Sequence, residues 1–241
     1  MSFYGNESFN ILTKKEHFKR IKIIKKYYGP KFFNNKKIID IGGGVNPILN
    51  KKKVDIYDFK ISKDVRDNFK GNLYVGDIEK IDINKKYDII FLLHTLEHLP
   101  NPLKALDMIK NILLKNGTLF IEVPNFDYFI KRVPHYAIFH QHLNMYNINN
   151  LKNLLNKGGL SIEKIFKKKN VIFCSIKIKK NSNKMLKVNF NHKIKILKTS
   201  FVRQRVKLRK FLKKNTLNIY GAGGSASLFL ANHKFLLNRI N

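Results

Sequence analysis

The sequence predicts an α/β fold with a doubly wound, largely parallel sheet that ends in an antiparallel hairpin. Short apolar segments, typical of buried strands, alternate with helical segments and short loops over about residues 1–180. A glycine-rich loop directly follows the first of these segments. Two later apolar segments, at 160–166 and 170–178, are joined only by a short basic turn, which favours antiparallel pairing. Together these features predict a Rossmann-like sheet with a terminal hairpin.

The first predicted helix precedes the sheet. Thr13 and Glu16 stand at the spacing of a capping box, which predicts the start of the helix there. Apolar residues at helical intervals predict its buried face; they are Phe18, Ile21, Ile24 and Tyr28. The Gly29-Pro30 pair then predicts the end of the helix.

Five apolar segments predict the parallel strands. In chain order they are KKIIDI (36–41), KVDIYDF (53–59), LYVGD (73–77), YDIIFLL (87–93) and TLFIEVP (118–124). A helix from about Leu103 to Lys115 precedes the fifth strand, and Asn116-Gly117 is expected to end that helix in a left-handed conformation. A loop rich in histidine and aromatic residues and then a helix over 149–157 separate the fifth strand from the hairpin.

The rest of the chain predicts two further units after the first domain, which spans 1–180. Residues 181–214 are strongly basic and predict a helical linker. Residues 215–241 begin with a short strand, a glycine loop and a helix, the pattern that opens a Rossmann-like domain. This partial βα unit lacks a second strand, so we expect the start of a truncated C-terminal domain.

The composition limits the class of protein. The 241 residues suffice for one α/β core, and no apolar stretch approaches the roughly 20 residues that span a bilayer. The N-terminus lacks the pattern of a secretory signal, and the single cysteine, Cys174, excludes an internal disulfide, so we expect a cytoplasmic protein. The net charge of +32 is spread along the chain and would favour a phosphorylated substrate, whereas nucleic acid is the less favoured partner.

The loop after the first strand has the sequence IIDIGGGVNPIL over residues 38–49. Gly42 and Gly44 match the first two glycines of a dinucleotide-binding loop, where missing side chains let a ligand approach the backbone. Pro47 stands at the third position, and Asp40 would bring negative charge toward two phosphates. Such a carboxylate suits a ligand that carries an ammonium or sulfonium group.

This loop and the blocks after it resemble the class I S-adenosylmethionine-dependent methyltransferases over residues 38 to about 180. The longest matching block is YDIIFLLHTLEHLPNPLKALDMIKNILLKNGTLFIEVPN (87–125). The resemblance implies methyl transfer as the reaction and S-adenosylmethionine as the cofactor. It also implies that Asp40, Gly42 and Gly44 hold the methionine end of that cofactor.

Further roles follow from the same resemblance. Asp58, at the end of the second strand, is expected to accept hydrogen bonds from the ribose hydroxyls, and Asp77 is expected to lie beside the adenine amine. Leu93 or His94 should line the far side of the cofactor. Asn46 replaces the third glycine of the family, and we assign no role to it.

The segment HYAIFHQHLNMYN (135–147) follows the fifth strand, at the edge of the sheet where open α/β folds bind ligands. It resembles the Y-H-E-H loop of sugar C-methyltransferases through Phe139-His140-Gln141-His142, which lacks the tyrosine and the glutamate of that loop. The resemblance implies that His142 abstracts a proton from the acceptor, with His140 beside it. Methylation of carbon and methylation of oxygen both stay open.

Two other groups near this segment carry weaker signals. His140 and His142 could share one face of an extended loop, but no third ligand stands at a suggestive spacing, so no metal site is predicted. Glu97 and His98 follow the fourth strand and begin a helix, where the helix dipole stabilises a glutamate. A structural role and a ligand contact both stay open for this pair.

The leading hypothesis is a methyltransferase that acts on a small acceptor. That acceptor would be a nucleotide-linked sugar or an intermediate of capsule or other cell-surface carbohydrate. Two alternatives stay open: an RNA methyltransferase, which would account for the net charge, and a non-catalytic scaffold with a methyltransferase-like fold. The sequence makes no prediction of the oligomeric state.

Overall fold

The computed structural model describes residues 7–49, 54–134, 142–166, 168–179 and 190–212. The helices are α1 (Glu7–Tyr28), α2 (Lys63–Asn68), α3 (Pro102–Ile112), α4 (Phe126–Arg132), α5 (Ile148–Lys157) and α6 (Phe190–Leu212). The strands are β1 (Ile38–Ile41), β2 (Asp55–Asp58), β3 (Leu73–Val75), β4 (Tyr87–Leu93), β5 (Leu113–Pro124), β6 (Leu160–Phe166) and β7 (Val171–Ile178).

The seven strands form one sheet in the order β3-β2-β1-β4-β5-β7-β6. The first five run parallel, whereas β7 is antiparallel to both β5 and β6. The predicted doubly wound fold with a terminal antiparallel hairpin is therefore confirmed. The strand order changes direction between β1 and β4, and open α/β sheets bind ligands at the carboxyl edge beside such a point.

Buried apolar side chains cover both faces of the sheet, because alternate residues of a strand point to opposite sides. One face packs against α3, for example through Ile39 and Leu106. The other face packs against α1 through Ile24, Phe91 and Phe120. The rings of Phe91 and Phe120 stack with their centroids 5.2 Å apart, so β4 and β5 share one aromatic layer. This burial on two sides fixes the positions of the strand ends.

Two helix ends differ from the prediction. α1 begins well before Thr13, which lies inside the helix and does not cap it. α3 ends at Ile112 and β5 begins at Leu113, so Asn116-Gly117 belongs to a strand. A Cβ atom on Gly117 would lie 2.6 Å from Leu113 Cδ1, and Gly117 does not have a positive φ. Glycine is therefore required here for close packing and not for a left-handed helix end.

The buried face of α1 also differs from the predicted one. Phe18, expected in the core, is 71% exposed, whereas His17, Arg20 and Ile24 are buried. These three residues share one face because they follow the i, i+3, i+7 spacing of a helix. Apolar spacing alone could not predict this face, since two of its three members are polar.

The basic segment predicted to be helical contains α6, which packs against α4. Lys193 on α6 forms an ion pair with Asp127 on α4. Residues 215–241 lie outside the described residues, so the predicted second Rossmann-like unit stays a prediction. In the part of the chain that the structure describes, no helix is both long enough and apolar enough to cross a membrane.

Candidate cofactor and acceptor site

Asp40 lies at the end of β1 and folds the glycine-rich loop back on itself. Its side chain is 2% exposed, and its Oδ2 accepts a hydrogen bond from the backbone N–H of Ile48 at 2.8 Å. A Cβ atom on Gly43 would lie only 2.5 Å from the same oxygen. Burial and, to a smaller extent, the nearby charge of Asp58 raise the pKa of Asp40 to about 7. The hydrogen bond from Ile48 lowers this pKa but does not outweigh burial.

Asp58 lies at the end of β2 and links that strand to the same loop. Its Oδ2 accepts a hydrogen bond from Gly44 N at 2.8 Å, and its Oδ1 accepts one from Lys60 N at 3.0 Å. A Cβ atom on Gly44 would lie 2.3 Å from the carbonyl oxygen of Lys60. The close approach of the two loops therefore requires a glycine at this position.

The third predicted carboxylate, Asp77, lies after β3. Its Oδ1 accepts a hydrogen bond from Glu79 N at 2.9 Å and so caps a short 3₁₀ turn. The hydroxyl of Tyr57 donates to the carbonyl oxygen of Asp77 at 3.1 Å. Asp40, Asp58 and Asp77 thus follow three neighbouring strands of the sheet, at the carboxyl edge that the sequence predicts.

Leu93 and His94 end β4, at the centre of the same edge. His94 has a φ of +52°, a left-handed conformation that is uncommon for residues other than glycine. Its backbone N–H donates to the carbonyl oxygen of Glu122 at 2.8 Å, and its Nε2 lies 3.0 Å from Glu122 Oε1. Its Nδ1 lies 3.3 Å from Glu97 Oε1. Although burial opposes the charged form, the two carboxylates raise the pKa of His94 to about 9.

Glu122 on β5 is at the centre of a buried charge network that the sequence analysis missed. Arg20 on α1 donates two hydrogen bonds to its carboxylate, and Lys168 Nζ lies 3.0 Å from Oε2. Burial opposes ionisation, but hydrogen bonds with His94 and Arg20 hold the pKa of Glu122 well below its usual range. The sequence contains one sign of this network, because Glu122 interrupts the apolar segment TLFIEVP. A glutamate buried with such a strand requires a charged or hydrogen-bonding partner.

His17 extends this network to the glycine-rich loop. Its Nδ1 lies 3.0 Å from Arg20 Nη1, and its Nε2 lies 2.9 Å from the carbonyl oxygen of Asn46. Burial and the adjacent guanidinium lower the pKa of His17 to about 4, so the ring is neutral. In the tautomer that satisfies both contacts, Nδ1 accepts from Arg20 and Nε2–H donates to Asn46. This contact joins α1 to the loop.

A second group of side chains lies beyond His94. Glu97, His98 and His142 each place one oxygen or nitrogen atom so that the three atoms lie within 4.8 Å of one another. The backbone N–H of Asn144 donates to the carbonyl oxygen of Glu97 at 3.0 Å, which joins the segment containing His142 to the turn after β4. The pKa of His142 is lowered, mainly by burial, although the charge of Glu97 acts to raise it. His140, the other predicted catalytic residue, lies outside the described residues.

A small hollow adjoins this group. It is lined by Pro124, Phe126, Phe129, His142, Asn144, Met145 and Tyr146. The Tyr146 hydroxyl is buried and has no hydrogen-bond partner among the described residues. A buried hydroxyl of this kind is costly unless a ligand satisfies it. The hollow therefore brings an unsatisfied hydroxyl and the ring of His142 to one surface, where a ligand could contact both.

The sequence matches the family model described as a methyltransferase domain over residues 14–165. The chain therefore belongs to this methyltransferase family. It is an S-adenosylmethionine-dependent methyltransferase, and S-adenosylmethionine is its cofactor. No curated protein matches the sequence.

Several solved structures share the fold. An S-adenosylmethionine-dependent methyltransferase from Clostridium acetobutylicum is 14% identical over 68% of this chain and 92% of that chain, with a TM-score of 0.52. The methyltransferase CcbJ of Streptomyces caelestis is 12% identical over 68% of this chain and 90% of that one, with a TM-score of 0.53. The plantazolicin methyltransferase BpumL, solved with a monoazolic desmethylPZN analog and SAH, is 17% identical over 70% of this chain and 86% of its own, with a TM-score of 0.55.

The residues at the carboxyl edge fit this cofactor. The carboxylates of Asp40 and Asp58 face the glycine-rich loop, and negative charge there favours an ammonium or sulfonium group over phosphates. Each oxygen of Asp58 accepts one backbone hydrogen bond and retains a lone pair that could accept another, from a ribose hydroxyl. The charges and free lone pairs of these two carboxylates are therefore compatible with S-adenosylmethionine as the cofactor.

Proposed function

We propose that the chain methylates a small acceptor that binds in the hollow beside Tyr146, and that this acceptor is a nucleotide-linked sugar or a related carbohydrate intermediate. One observation carries the proposal: the turn after β4 contacts both halves of the site. Thr95 packs so closely on the glycine-rich loop that a Cβ atom on Gly42 would lie 2.0 Å from its Oγ1. Two residues further on, Glu97 contributes to the group around His142. The methyl donor and the acceptor would thus meet across this turn.

The cofactor roles in this proposal follow the arrangement of the strand ends. Gly42 and Gly44 let Thr95 and Lys60 pack closely on the loop and so would shape the backbone that holds the methionine end, and Asp40 would provide its opposite charge. Asp58 would accept the ribose hydroxyls, and Asp77 would lie beside the adenine. Leu93 and His94, at the end of β4, would line the remaining side. The common carboxyl edge supports these roles, because all seven residues are at or shortly after the ends of β1 to β4.

The cofactor supplies a methyl group on a positively charged sulfur, which the acceptor attacks in line. The protein then has two tasks: to align the acceptor with that methyl group and to accept its proton. We assign the second task to His142, since burial favours its neutral, proton-accepting form. The carboxylate of Glu97 would stabilise the imidazolium that forms, as a buried carboxylate does in other histidine bases.

Two features support a small, anionic acceptor. The hollow is narrow and includes aromatic side chains, such as Phe126 and Phe129, that can pack on the apolar face of a sugar ring. The net charge of +32 would attract an acceptor that carries phosphate groups. The same charge favours a second candidate, an RNA acceptor, to which the basic residues of α6 would contribute.

An acceptor screen tests the proposal. The full chain is incubated with S-adenosylmethionine and either nucleotide-linked sugars or short RNAs, and release of S-adenosylhomocysteine is measured by mass spectrometry. We expect turnover with a nucleotide-linked sugar and a matching mass increase of one methyl group on that product. Turnover with RNA alone, falling steeply as salt is raised, would assign the acceptor to nucleic acid instead.

A further inference from the structure

The group formed by Glu97, His98 and His142 has the donor atoms of a metal site. One oxygen and two ring nitrogens lie within 4.8 Å of one another, and the two histidine rings have centroids 5.1 Å apart. The three residues come from two separate parts of the chain, the turn after β4 and the segment before α5. The fold therefore supplies the third donor that sequence spacing around His140 and His142 did not reveal.

Glu97 provides an independent indication that this position binds a cation. Its side chain is 1% exposed, and neither carboxylate oxygen has a hydrogen-bond partner among the described residues. His94 Nδ1 lies 3.3 Å from Oε1 but without hydrogen-bond geometry. The charge of His94 offsets part of the cost of burying this carboxylate, but both of its oxygens still lack a hydrogen bond to replace their lost hydration. A metal ion would satisfy the oxygen atoms that the protein leaves without hydrogen bonds.

The surroundings of Glu97 resemble those of a ligating carboxylate. Metal-binding carboxylates are usually held in place by a second set of polar partners. His94 occupies that position here, because it contacts Glu97 through Nδ1 and Glu122 through Nε2. Glu122 is in turn fixed by Arg20. The network on the β5 side would therefore orient Glu97 toward the two histidines.

Two histidines and one glutamate favour a transition-metal ion such as Zn²⁺, since Mg²⁺ and Ca²⁺ prefer oxygen ligands. Three protein ligands are typical of catalytic zinc sites, which keep a fourth position open. The three donor atoms lie within 4.8 Å of one another. Each would bond to the ion at about 2.0–2.2 Å, so the most distant of them would have to move closer together on binding. The partly exposed ring of His98 has room for this shift.

We propose that Glu97, His98 and His142 bind one divalent transition-metal ion, with its open position directed to the acceptor hollow. The inference rests on the proposed function, because it places the ion where the acceptor would bind. With the ion bound, His142 would be a ligand in place of a proton acceptor. The ion would hold an oxygen atom of the acceptor and lower the pKa of the proton on it, so that this proton passes to solvent water. The class of acceptor is thereby narrowed to molecules that present an oxygen donor beside the methylated atom.

A metal titration tests this inference without any acceptor. The full chain, freed of metal with a chelator, is titrated with Co²⁺ followed by visible absorption and with Zn²⁺ followed by calorimetry. We expect one equivalent of each to bind, with excess Mg²⁺ unable to compete. Glu97→Gln and His98→Asn should each weaken binding at least roughly 10–100-fold, the usual cost of losing even an outer partner of a ligand. Glu163→Gln, a matched change outside the group and outside this network, should retain the wild-type affinity for Co²⁺.

The outcomes separate this inference from the proposed function. Titration with S-adenosylhomocysteine shows for each variant whether the cofactor domain is folded. Co²⁺ affinity that is the same in wild type, Glu97→Gln and His98→Asn, or no stoichiometric binding at all, would overturn the metal site and leave methyl transfer untouched. Loss of S-adenosylhomocysteine binding by the wild-type chain would contradict the cofactor assignment instead.

Discussion

Arg20 on α1 and Glu122 on β5 form a buried ion pair between residues 102 positions apart in the sequence. Arg20 Nε and Nη2 donate to the two carboxylate oxygens at 3.1 and 2.5 Å, and both side chains are almost fully buried. The pair fixes α1 against the sheet, and His17 on the same helix face reaches the glycine-rich loop. The N-terminal helix is thereby coupled to the glycine-rich loop.

Arg20→Gln should destabilise the protein strongly. The change removes the two hydrogen bonds from Arg20 and leaves only His94 and Lys168 beside the buried Glu122, and removal of one member of a buried pair costs up to about 3–5 kcal/mol. Lys19→Gln is the matched control, because Lys19 pairs with Glu16 at the surface; such pairs contribute about 0–1 kcal/mol. Urea denaturation measures both free energies of unfolding. Equal, small losses in the two variants would show that the buried pair does not support the fold.

Gly44→Ala should weaken binding of S-adenosylhomocysteine. The new Cβ atom would lie 2.3 Å from the carbonyl oxygen of Lys60 and 2.7 Å from Asp58, so the two loops must separate. Overpacking of this kind costs about 1–3 kcal/mol. If this cost falls on the conformation that binds the cofactor, the affinity drops roughly tenfold to hundredfold. Gly158→Ala is the control, since its nearest neighbour would be 3.5 Å away. Calorimetry that finds both variants equal to wild type would refute this account of the loop.

The raised pKa of Asp40 predicts that the free energy of unfolding depends on pH. Its pKa is about 7 in the folded protein, above the ordinary 3.8, so the folded state holds the proton more tightly than the unfolded state. Stability from this group is therefore greatest at acid pH and is lost as pH rises from about 4 through about 7. Asp40→Asn keeps an oxygen for Ile48 N but cannot ionise. The variant should gain stability relative to wild type between pH 5 and pH 8, by about 1–4 kcal/mol.

Denaturation of both proteins at the two pH values measures this difference, and the effects of all other groups cancel in it. A difference that stays constant with pH would mean that Asp40 ionises normally. Asp58 and Arg20, the charged groups that act on Asp40, are unchanged in the comparison.

His142→Ala should reduce turnover while leaving cofactor affinity nearly intact. Loss of a positioned proton acceptor typically costs about 10²–10⁴ in rate, and His142 lies on the acceptor side of the turn after β4. Single-turnover rates and S-adenosylhomocysteine titrations measure the two quantities. An unchanged rate, or a loss of cofactor binding, would show that the residue has a different role.

The sequence predicted the sheet well, because the five parallel strands are continuous apolar segments that end at carboxylates or turns. Asp40, Asp58 and Asp77 could be located for the same reason, since each lies at or near the end of such a segment. The end of α3 could not be predicted: Leu113 pairs with Tyr87 in the sheet, and this tertiary pairing overrides the local helical pattern.

Contacts between distant residues explain what else was missed. Arg20 and His17 occupy helix positions that apolar periodicity treats as exposed. Their burial is favourable because Arg20 pairs with Glu122 on β5 and His17 contacts both Arg20 and the carbonyl oxygen of Asn46. The group of Glu97, His98 and His142 is likewise assembled by the fold, since α3, β5 and α4 separate its two parts in the sequence. Local patterns therefore sufficed to propose the cofactor side, whereas the group proposed for the acceptor side is formed only in the three-dimensional structure.

The most direct test of the cofactor site is a calorimetric titration of S-adenosylhomocysteine into the wild-type chain and Asp58→Ala, with Glu163→Ala as control. We predict one bound equivalent in the wild type and control, and an affinity roughly 10–100-fold lower in Asp58→Ala, because charge-assisted hydrogen bonds of about 1.5–3 kcal/mol are lost. Wild-type affinity in Asp58→Ala would contradict the location of the cofactor at the ends of β1 and β2.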